Sequence, residues 1–320
     1  MQSRHLIVPV DRQQSALDEN PGYEVAFKRY FSVSSVASED GAVSHIGQDP
    51  LPQGTPDMVW LWLVDRHVEK SAHVSVVHDG GLTHIWTADL YCGNGDIEHA
   101  DGSGPQTDNI LESYKALLGR YGATIEADTQ RTWFFVRDID HNYADFVVSR
   151  RNFFAAEGLV SHSIASTGIE GNPVAPDAVV SMDAYAVVGL PKSDIRYLEA
   201  PDFLNSPHAY GVTFERGVRL GSGLTMISGT ASIDKRGEIL HVGDVPAQAG
   251  RAIDNISALL ADAGHGLADV RMALIYVRED GFATDALAAF ESRFPAGIPH
   301  VVLHAPVCRP GWLVEIECLV

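Results

Sequence analysis

The sequence predicts an α/β protein of the α+β kind, in which two tandem copies of one unit each form a mostly antiparallel sheet with helices on one face. Three observations support this fold class. The second half repeats the segment order of the first half at a nearly constant offset. The segments alternate between strand-like and helix-like periods. A chain of 320 residues that is 45% apolar can form two cores. We therefore expect an N-terminal domain over residues 1–200 and a C-terminal domain over 201–320.

The repeat is clearest around one helix and the strand that follows it. In the first half ILESYKALL precedes TWFFVRD, and in the second half AIDNISALL precedes ALIYVRE. Two unrelated α/β segments can share apolar periodicity, but a shared order of elements favours duplication. The matching positions, each pair about 142 residues apart, are Thr87 with Thr230, Leu117 with Leu259, and Val136 with Val277.

Each copy reads as strand, hairpin, strand, helix, strand, helix, strand. In the second copy Asp244 can cap a helix whose apolar residues recur every three or four positions up to Leu260. Gly264 follows, where a left-handed helix end is common. A second helix is expected over 282–294. The chain then ends in two strands joined by the turn-forming tripeptide at 309–311.

Charge and composition exclude several function classes. The formal net charge of -19 repels phosphate backbones and anionic lipid, so we expect neither nucleic-acid nor membrane binding. Three cysteines form no disulfide framework, and the N-terminus lacks a long apolar segment, so we expect a cytoplasmic protein without a signal peptide. Residues 1–50 are expected to form an irregular or strand-rich extension.

The second copy resembles the RidA/YjgF family. The resemblance rests on ISGTASID, GDV, Gln248, Asn255, YVRE and the terminal VEIEC, and it covers about residues 212–320. It implies a trimer-forming fold whose members deaminate reactive imines at subunit interfaces. In that family an arginine that binds a carboxylate lies shortly after a proline, whereas here Pro299 is followed by His300. This departure argues against imine deamination.

The two-copy chain is more similar to the chorismatases. The motifs are TWFFVRDI, SRRNFF, ASTGI, YGVTFERG, SGTASID and APVCRPGWLVEIEC, which together cover about residues 130–320. The resemblance implies tandem RidA-like units and an enzyme that removes the enolpyruvyl group of chorismate as pyruvate without a cofactor. Branches of this family release a dihydroxycyclohexadiene carboxylate or a hydroxybenzoate such as 3-hydroxybenzoate.

Cleavage of this enol ether requires an acid that protonates carbon, and such an acid needs a raised pKa. Strand alternation places Glu315 and Glu317 on one face of an apolar strand, where two carboxylates raise each other's pKa. The alternative is that both side chains face solvent on the polar side of a half-exposed strand. The resemblance places the catalytic acid at Glu315 and leaves Glu317 as a lesser candidate.

Chorismate is a dianion, and a guanidinium group matches a carboxylate in shape and charge. Arg216 and Arg278 end apolar or β-rich strands, which favours a binding role over a solvated surface position. Further arginine candidates are Arg151, next to Arg150 in SRR, and Arg309 beside the proposed acid.

Four smaller residues complete the predicted substrate site. Tyr210 can hydrogen-bond a carboxylate or the ring hydroxyl, and Thr167 in ASTGI can line the cleft, although a core aromatic and a plain turn are the alternatives. The resemblance implies that small residues near the substrate ring separate the product branches. Cys308 then indicates the hydroxybenzoate branch, while Ala231 narrows the pocket; a buried apolar cysteine is the alternative for Cys308.

No metal or nucleotide cofactor is expected, because the histidines form no HExxH motif and no complete GxGxxG occurs. Two other functions stay open: a RidA-type imine deaminase, and a non-catalytic binder of small carboxylates. Tandem copies can reproduce the interfaces that single-copy relatives make by trimerising, so we expect a monomer or a homotrimer.

Overall fold

The computed structural model describes residues 1–32, 39–160, 162–206 and 213–320. Within these ranges the helices are α1 (Gln13–Asp18), α2 (Ser103–Gly119), α3 (Ile125–Asp128), α4 (Ile139–Ala156), α5 (Val245–Asp262) and α6 (Ala283–Glu291). The strands are β1 (Ser3–Pro9), β2 (Glu24–Phe31), β3 (Ala42–Ile46), β4 (Pro50–Leu51), β5 (Met58–Val64), β6 (Glu69–Ser71), β7 (Val74–Asp79), β8 (Leu82–Tyr91), β9 (Thr129–Val136), β10 (Ala165–Glu170), β11 (Val180–Val188), β12 (Ile195–Tyr197), β13 (Gly217–Leu220), β14 (Thr225–Ala231), β15 (Met272–Val277), β16 (His300–His304) and β17 (Val314–Leu319).

Two of the three sheets share one topology. The six-stranded sheet has the order β10-β9-β11-β8-β7-β6, and the seven-stranded sheet has the order β12-β13-β14-β17-β15-β16-β4. In each sheet the first helix follows the hairpin, and the two strands that flank the second helix pair in parallel: β9 with β10, and β15 with β16. Helices α2 and α4 pack with the first sheet, and α5 and α6 with the second. The predicted two-copy α/β fold is confirmed.

Helix α5 follows its sequence signals closely. The Asp244 side chain accepts a hydrogen bond from the Ala247 amide, which satisfies one of the free N–H groups at the start of the helix. Ile253 and Leu260 lie on its buried face. Gly264 follows with φ of 78°, a left-handed conformation that glycine adopts without a Cβ clash. Helix α6 is preceded by a 3₁₀ turn over 280–282 and ends at Glu291, three residues before the expected end.

The N-terminal extension folds as a third sheet, with the order β1-β5-β2-β3. One face contributes Phe27, Trp60 and Trp62 to the core shared with the other sheets, and Leu61 and its neighbours pack on the opposite face. Strand β4 leaves this sheet and pairs with β16 of the seven-stranded sheet. No helix in the described ranges is long and apolar enough to cross a membrane.

A buried ion pair joins the third sheet to the six-stranded sheet. Arg29 of β2 donates from Nε and Nη2 to the Asp183 carboxylate of β11, with a shortest distance of 2.7 Å, and both side chains are almost fully buried. The guanidinium group also stacks 4.8 Å from the ring centroid of Trp133. Because a lone buried charge is costly, this pair favours one arrangement of the two sheets.

We predict that Asp244→Ala lowers the free energy of unfolding by about 1 kcal/mol, because the first turn of α5 loses its capping acceptor. Urea denaturation monitored by circular dichroism measures the change. Asp145→Ala, an exposed substitution in the middle of α4, is the control and should cause no comparable loss. Equal stability of the wild type and Asp244→Ala would show that the cap contributes nothing.

Candidate active site

A cavity lies where the six-stranded and seven-stranded sheets face each other. The seven-stranded unit contributes Arg216, Ala231, Cys308, Arg309, Trp312 and Glu315 to its wall. The other unit contributes Tyr143, Arg150, Ser166 and Gly168, from α4 and β10. The two copies therefore form the cavity together, and neither holds it alone.

Glu315 is the carboxyl group of this cavity. Strand β17 points Glu315 and Glu317 to the same face, as its alternation predicts, and Glu315 is only 5% exposed. Its carboxylate makes no hydrogen bond with the described residues. Burial first, and then the charge of Glu317, raises its pKa to about 8, against the opposing effects of Arg216 and Arg131. At neutral pH the group is therefore largely a neutral acid.

Gly229 leaves the space that the Glu315 side chain occupies. It lies in a register shift of the β14–β17 ladder between Ile227 and Thr230. A Cβ at this position would collide with the Glu315 carboxylate. The glycine in SGTASID is therefore required by a close approach of backbone to side chain.

Glu317 lies deeper and is fully hydrogen-bonded. Its carboxylate accepts hydrogen bonds from four buried side chains: Arg131, Trp133, Thr167 and Tyr276. The Trp133 Nε1 and Tyr276 hydroxyl contacts are both 3.0 Å. Since Arg131, Trp133 and Thr167 belong to the six-stranded sheet, this contact joins the two copies behind the cavity.

Arg150 is a buried cation in the wall of the cavity. It is 3% exposed, and its Nε is buried without a hydrogen-bond partner. Its guanidinium group lies 4.9 Å from the Phe146 ring centroid, and no carboxylate in the described ranges pairs with it. Burial lowers its pKa. A bound anion would supply the missing counter-charge.

Arg216 and Arg309 also lie in the cavity wall. Arg216 is buried, donates to Asn205 Oδ1 at 3.1 Å, and its charge lowers the pKa of Glu315. Arg309 lies over the Trp312 ring, 4.7 Å from its centroid. Both guanidinium groups have further contacts, yet each presents part of its surface to the cavity.

Cys308 and Ala231 are in the cavity wall, where the sequence places them. Burial and the nearby Glu315 raise the pKa of the Cys308 thiol to about 12, so the thiol is neutral. Burial and Cys308 likewise raise the pKa of Tyr143 above its usual range. This part of the wall is therefore uncharged.

The structure does not bring three other predicted residues into this cavity. Arg278 pairs with Asp140 at 2.7 Å and donates to the Val307 carbonyl, so it joins the two copies outside the cavity. Arg151 is exposed on α4. Thr167 lies behind the wall, where Arg131, Gly229 and Glu317 use its hydroxyl group. Tyr210 lies outside the described residues.

Sequence reasoning did not select Tyr143 or Arg150, although a signal for both exists. Tyr143, Phe146 and Arg150 recur at three-, four- and seven-residue spacing, which is one face of a helix. Arg151 is one position further and turns by about 100° from that face. The turn of the helix therefore places Arg150 in the cavity wall and leaves Arg151, the next residue, exposed to solvent.

The fold and this cavity define a two-copy α/β protein with a neutral carboxyl group and several guanidinium groups between its sheets. Within the described ranges, no group of histidine, cysteine and acidic residues is arranged to hold a metal ion. Residues 205–320 match the family model described as Endoribonuclease L-PSP.

Comparison with whole proteins points to one kind of relative. The chain is 28% identical over 297 residues to a chorismatase of Streptomyces hygroscopicus, covering 81% of this chain and 85% of that protein. It is 26% identical over 301 residues to a 3-hydroxybenzoate synthase of the same organism, covering 81% and 80%. A chorismatase crystal structure superimposes with a TM-score of 0.79 at 19% identity, covering 100% of this chain and 98% of the other, and so shows the same fold. The resemblance to chorismatases is confirmed.

We predict that Glu315→Gln stabilises the protein at alkaline pH and not at acid pH. The pKa of Glu315 rises from the usual 4.5 to about 8 on folding, so the folded state binds this proton more tightly. Stability from this group is complete below about pH 4.5 and is lost as the pH rises through 8. The variant cannot ionise and avoids that loss.

Thermal unfolding from pH 4.5 to 9 measures the effect. The midpoint of Glu315→Gln should exceed that of the wild type by several degrees at pH 9, and the difference should shrink steadily towards pH 4.5. Glu291→Gln, at the exposed end of α6, should track the wild type throughout. A difference that does not change with pH would rule out a raised pKa at Glu315.

Proposed function

We propose that this chain is an enzyme that cleaves the enolpyruvyl ether of chorismate, releasing pyruvate and a ring carboxylate without a cofactor. The observation that carries the proposal is that the buried Glu315, a neutral acid at neutral pH, shares one cavity with Arg150, whose guanidinium group pairs with no carboxylate in the described ranges. Similarity to a chorismatase and a 3-hydroxybenzoate synthase over four fifths of the chain supports the same substrate.

The first chemical step is proton transfer to carbon. Glu315 gives its proton to the methylene carbon of the enol ether, which becomes an oxocarbenium ion. The carboxylate left behind is opposite in charge to this ion and stabilises it in a site of low polarity. Water then adds to the carbon of the oxocarbenium ion, and the hemiketal breaks into pyruvate and the ring diol; alternatively, a ring hydroxyl attacks the neighbouring ring carbon, and the C–O bond to that carbon breaks to release pyruvate. In either path the proton of the nucleophile returns to the Glu315 carboxylate. Burial makes the acid available at neutral pH.

The cationic groups bind the substrate. Chorismate carries two carboxylates, and Arg150 and Arg216 are buried guanidinium groups in the cavity wall. Charge-assisted hydrogen bonds from them orient the enol ether towards Glu315. Arg309, stacked on Trp312, is a third cation at the wall. We propose direct substrate contacts for the guanidinium groups of the cavity wall; Arg151, Arg278 and Thr167 lie outside that wall, and Tyr210 stays a proposal from the sequence.

We propose 3-hydroxybenzoate as the ring product, with the dihydroxycyclohexadiene carboxylate as the alternative. The wall near the acid contains a neutral thiol, Cys308, instead of a branched side chain. A thiol there leaves room for the ring to turn, so that a ring group instead of water displaces the side chain, and aromatisation drives the reaction forward. Ala231 acts in the opposite direction if its methyl group restricts this rotation.

Imine deamination is the second candidate function, and one observation speaks against it. His300 occupies the position after Pro299 where RidA-like deaminases carry an arginine. Its Nδ1 lies 2.8 Å from the Ile298 carbonyl oxygen, and it is not among the residues of the cavity wall. A non-catalytic carboxylate binder would use the same cavity without turning over its ligand.

The remaining sequence expectations stay proposals. We propose domains 1–200 and 201–320; strand β12, which begins at Ile195, pairs in the seven-stranded sheet, so the change from one sheet to the other falls a few residues before this boundary. Because the cavity forms between two copies within one chain, a monomer can be complete, and a homotrimer is the alternative. A cytoplasmic location agrees with three cysteines that are all free thiols.

We predict that Glu315→Gln reduces pyruvate release from chorismate by about 100-fold or more, because an amide cannot donate a proton to carbon. A coupled lactate dehydrogenase assay follows pyruvate, and chromatography identifies the ring product. Thermal unfolding confirms that the variant is folded. Glu291→Gln, the same substitution at an exposed site, is the control and should keep the activity of the wild type. A folded Glu315→Gln that retains a third of the activity would remove Glu315 from the role of acid. If chorismate binds to the wild type and is not converted, the protein would instead be a non-catalytic binder of small carboxylates.

Adjacent arginines provide a matched pair. Arg150→Ala should lower kcat/KM by about 10- to 100-fold, since a hydrogen bond to a charged group contributes about 1.5–3 kcal/mol. Arg151→Ala, one residue away and exposed, should change it little. Because Arg150→Ala also loses the packing of this side chain on Phe146, thermal unfolding of both variants must confirm that a loss of activity does not reflect unfolding. Equal losses in both variants would contradict this assignment.

A further inference from the structure

We propose that Glu317 is a positioning residue, a carboxylate surrounded by hydrogen-bond donors whose negative charge keeps the proton of the acidic pair on Glu315. This inference deepens the proposed function and rests on it for its catalytic meaning, while its electrostatic content can be measured without turnover. The two carboxyl groups are two positions apart on the same face of β17.

The hydrogen bonds to Glu317 come from four donors. Oε1 accepts from Trp133 and Tyr276, and Oε2 accepts from Arg131 and Thr167. The indole N–H and the guanidinium group can only donate. This set of donors matches a carboxylate, which accepts hydrogen bonds at both oxygens.

Thr167 completes this set of donors. Its hydroxyl oxygen already accepts from Arg131 and from the Gly229 amide, the latter at 2.9 Å. Its own proton is therefore directed to Glu317. The Gly229 amide held in this way belongs to the residue against which the Glu315 carboxylate lies. The network around Glu317 thus also fixes the backbone that positions Glu315.

The surroundings of Glu315 differ from those of Glu317 in their lack of hydrogen-bond donors among the described residues. Among the described residues no donor hydrogen-bonds its carboxylate, so nothing in direct contact stabilises its charge. Burial opposes ionisation of Glu315 most, followed by the charge of Glu317, whereas Arg216 and Arg131 each favour ionisation by less than Glu317 opposes it. The other ionisable groups around the two carboxyls are Cys308, Tyr143 and the cations Arg150 and Arg309 at the cavity, and Tyr276, Cys318 and the cation Arg29 in the core.

The test is the titration of Glu315 in Glu317→Gln. This variant removes the negative charge and leaves Arg131 positive, so Glu315 should lose its proton at a pH lower by about one unit or more. Infrared difference spectra between pH 5 and 9 report the carboxylic-acid carbonyl band, which Glu315→Gln assigns by its disappearance. The alkaline limb of the pH profile for pyruvate release should move by the same amount.

Two further variants separate electrostatics from structure. Tyr276→Phe removes a hydrogen bond to Glu317 and no charge, so the titration of Glu315 should stay at its wild-type pH even if stability falls. The double variant Arg131→Met with Glu317→Gln removes both charges of the buried pair, a change that such sites often tolerate. Its titration should move in the same direction as in Glu317→Gln, by a smaller amount.

The outcomes distinguish the inference from the function it refines. An infrared titration unchanged in Glu317→Gln, or in the double variant if the single one does not fold, overturns the role of Glu317. A shifted titration in a protein that does not convert chorismate supports the role of Glu317 and rejects the proposed function. A rate reduced equally at every pH, with no shift of the limb, would mean that Glu317 only supports the fold.

Discussion

The contact between Arg131 and Glu317 holds the two copies together and determines the chemistry of the cavity between them. Both side chains are buried, so their desolvation is offset by their mutual attraction and by the hydrogen bonds around them. Loss of one partner from such a pair typically costs about 3–5 kcal/mol. The same anion raises the pKa of Glu315. Stability and acid strength therefore depend on the same few atoms.

A strongly acidic chain can still bind a dianion, because its negative charges lie mostly in water at the surface, whereas the arginines that would contact the dianion are buried in the cavity wall. Most of the negative charge lies on the surface, where water and salt screen it within about 10 Å. Arg150 and Arg216 are buried in the cavity wall, where a charge interacts far more strongly with a bound carboxylate. The net charge of -19 thus limits which large partners can approach and does not prevent the capture of a small anion.

Local patterns predicted the elements of the fold, and long-range partners decided the site. The cap of α5 and the alternation along β17 depend on residues near one another in sequence, and the repeat is read by comparing two segments of the sequence; all three are present. Arg278 pairs with Asp140, which lies 138 positions away, and Thr167 hydrogen-bonds to Glu317, which lies 150 positions away. The hydrophobic periodicity of a single helix or strand cannot predict such distant partners. For residues 1–50 the strand-rich alternative was predicted and is present, but the order of the strands was not, since the parallel pairing of β2 with β3 gives no hairpin signal.

When the two copies are aligned, they differ at the position of Glu315. When Val136 is aligned with Val277, the strand ladders align Asp183 with Glu317 and Ser181 with Glu315. Asp183 pairs with Arg29 of the preceding sheet, just as Glu317 pairs with Arg131. Each copy thus joins to the sheet before it through a carboxylate on its last strand. The charge of Asp183 also helps raise the pKa of its buried neighbour Asp89 to about 8, after burial itself. The joining carboxylate is therefore common to both copies, whereas the carboxyl group two residues before it is present in the second copy alone, because the first copy has Ser181 at that position.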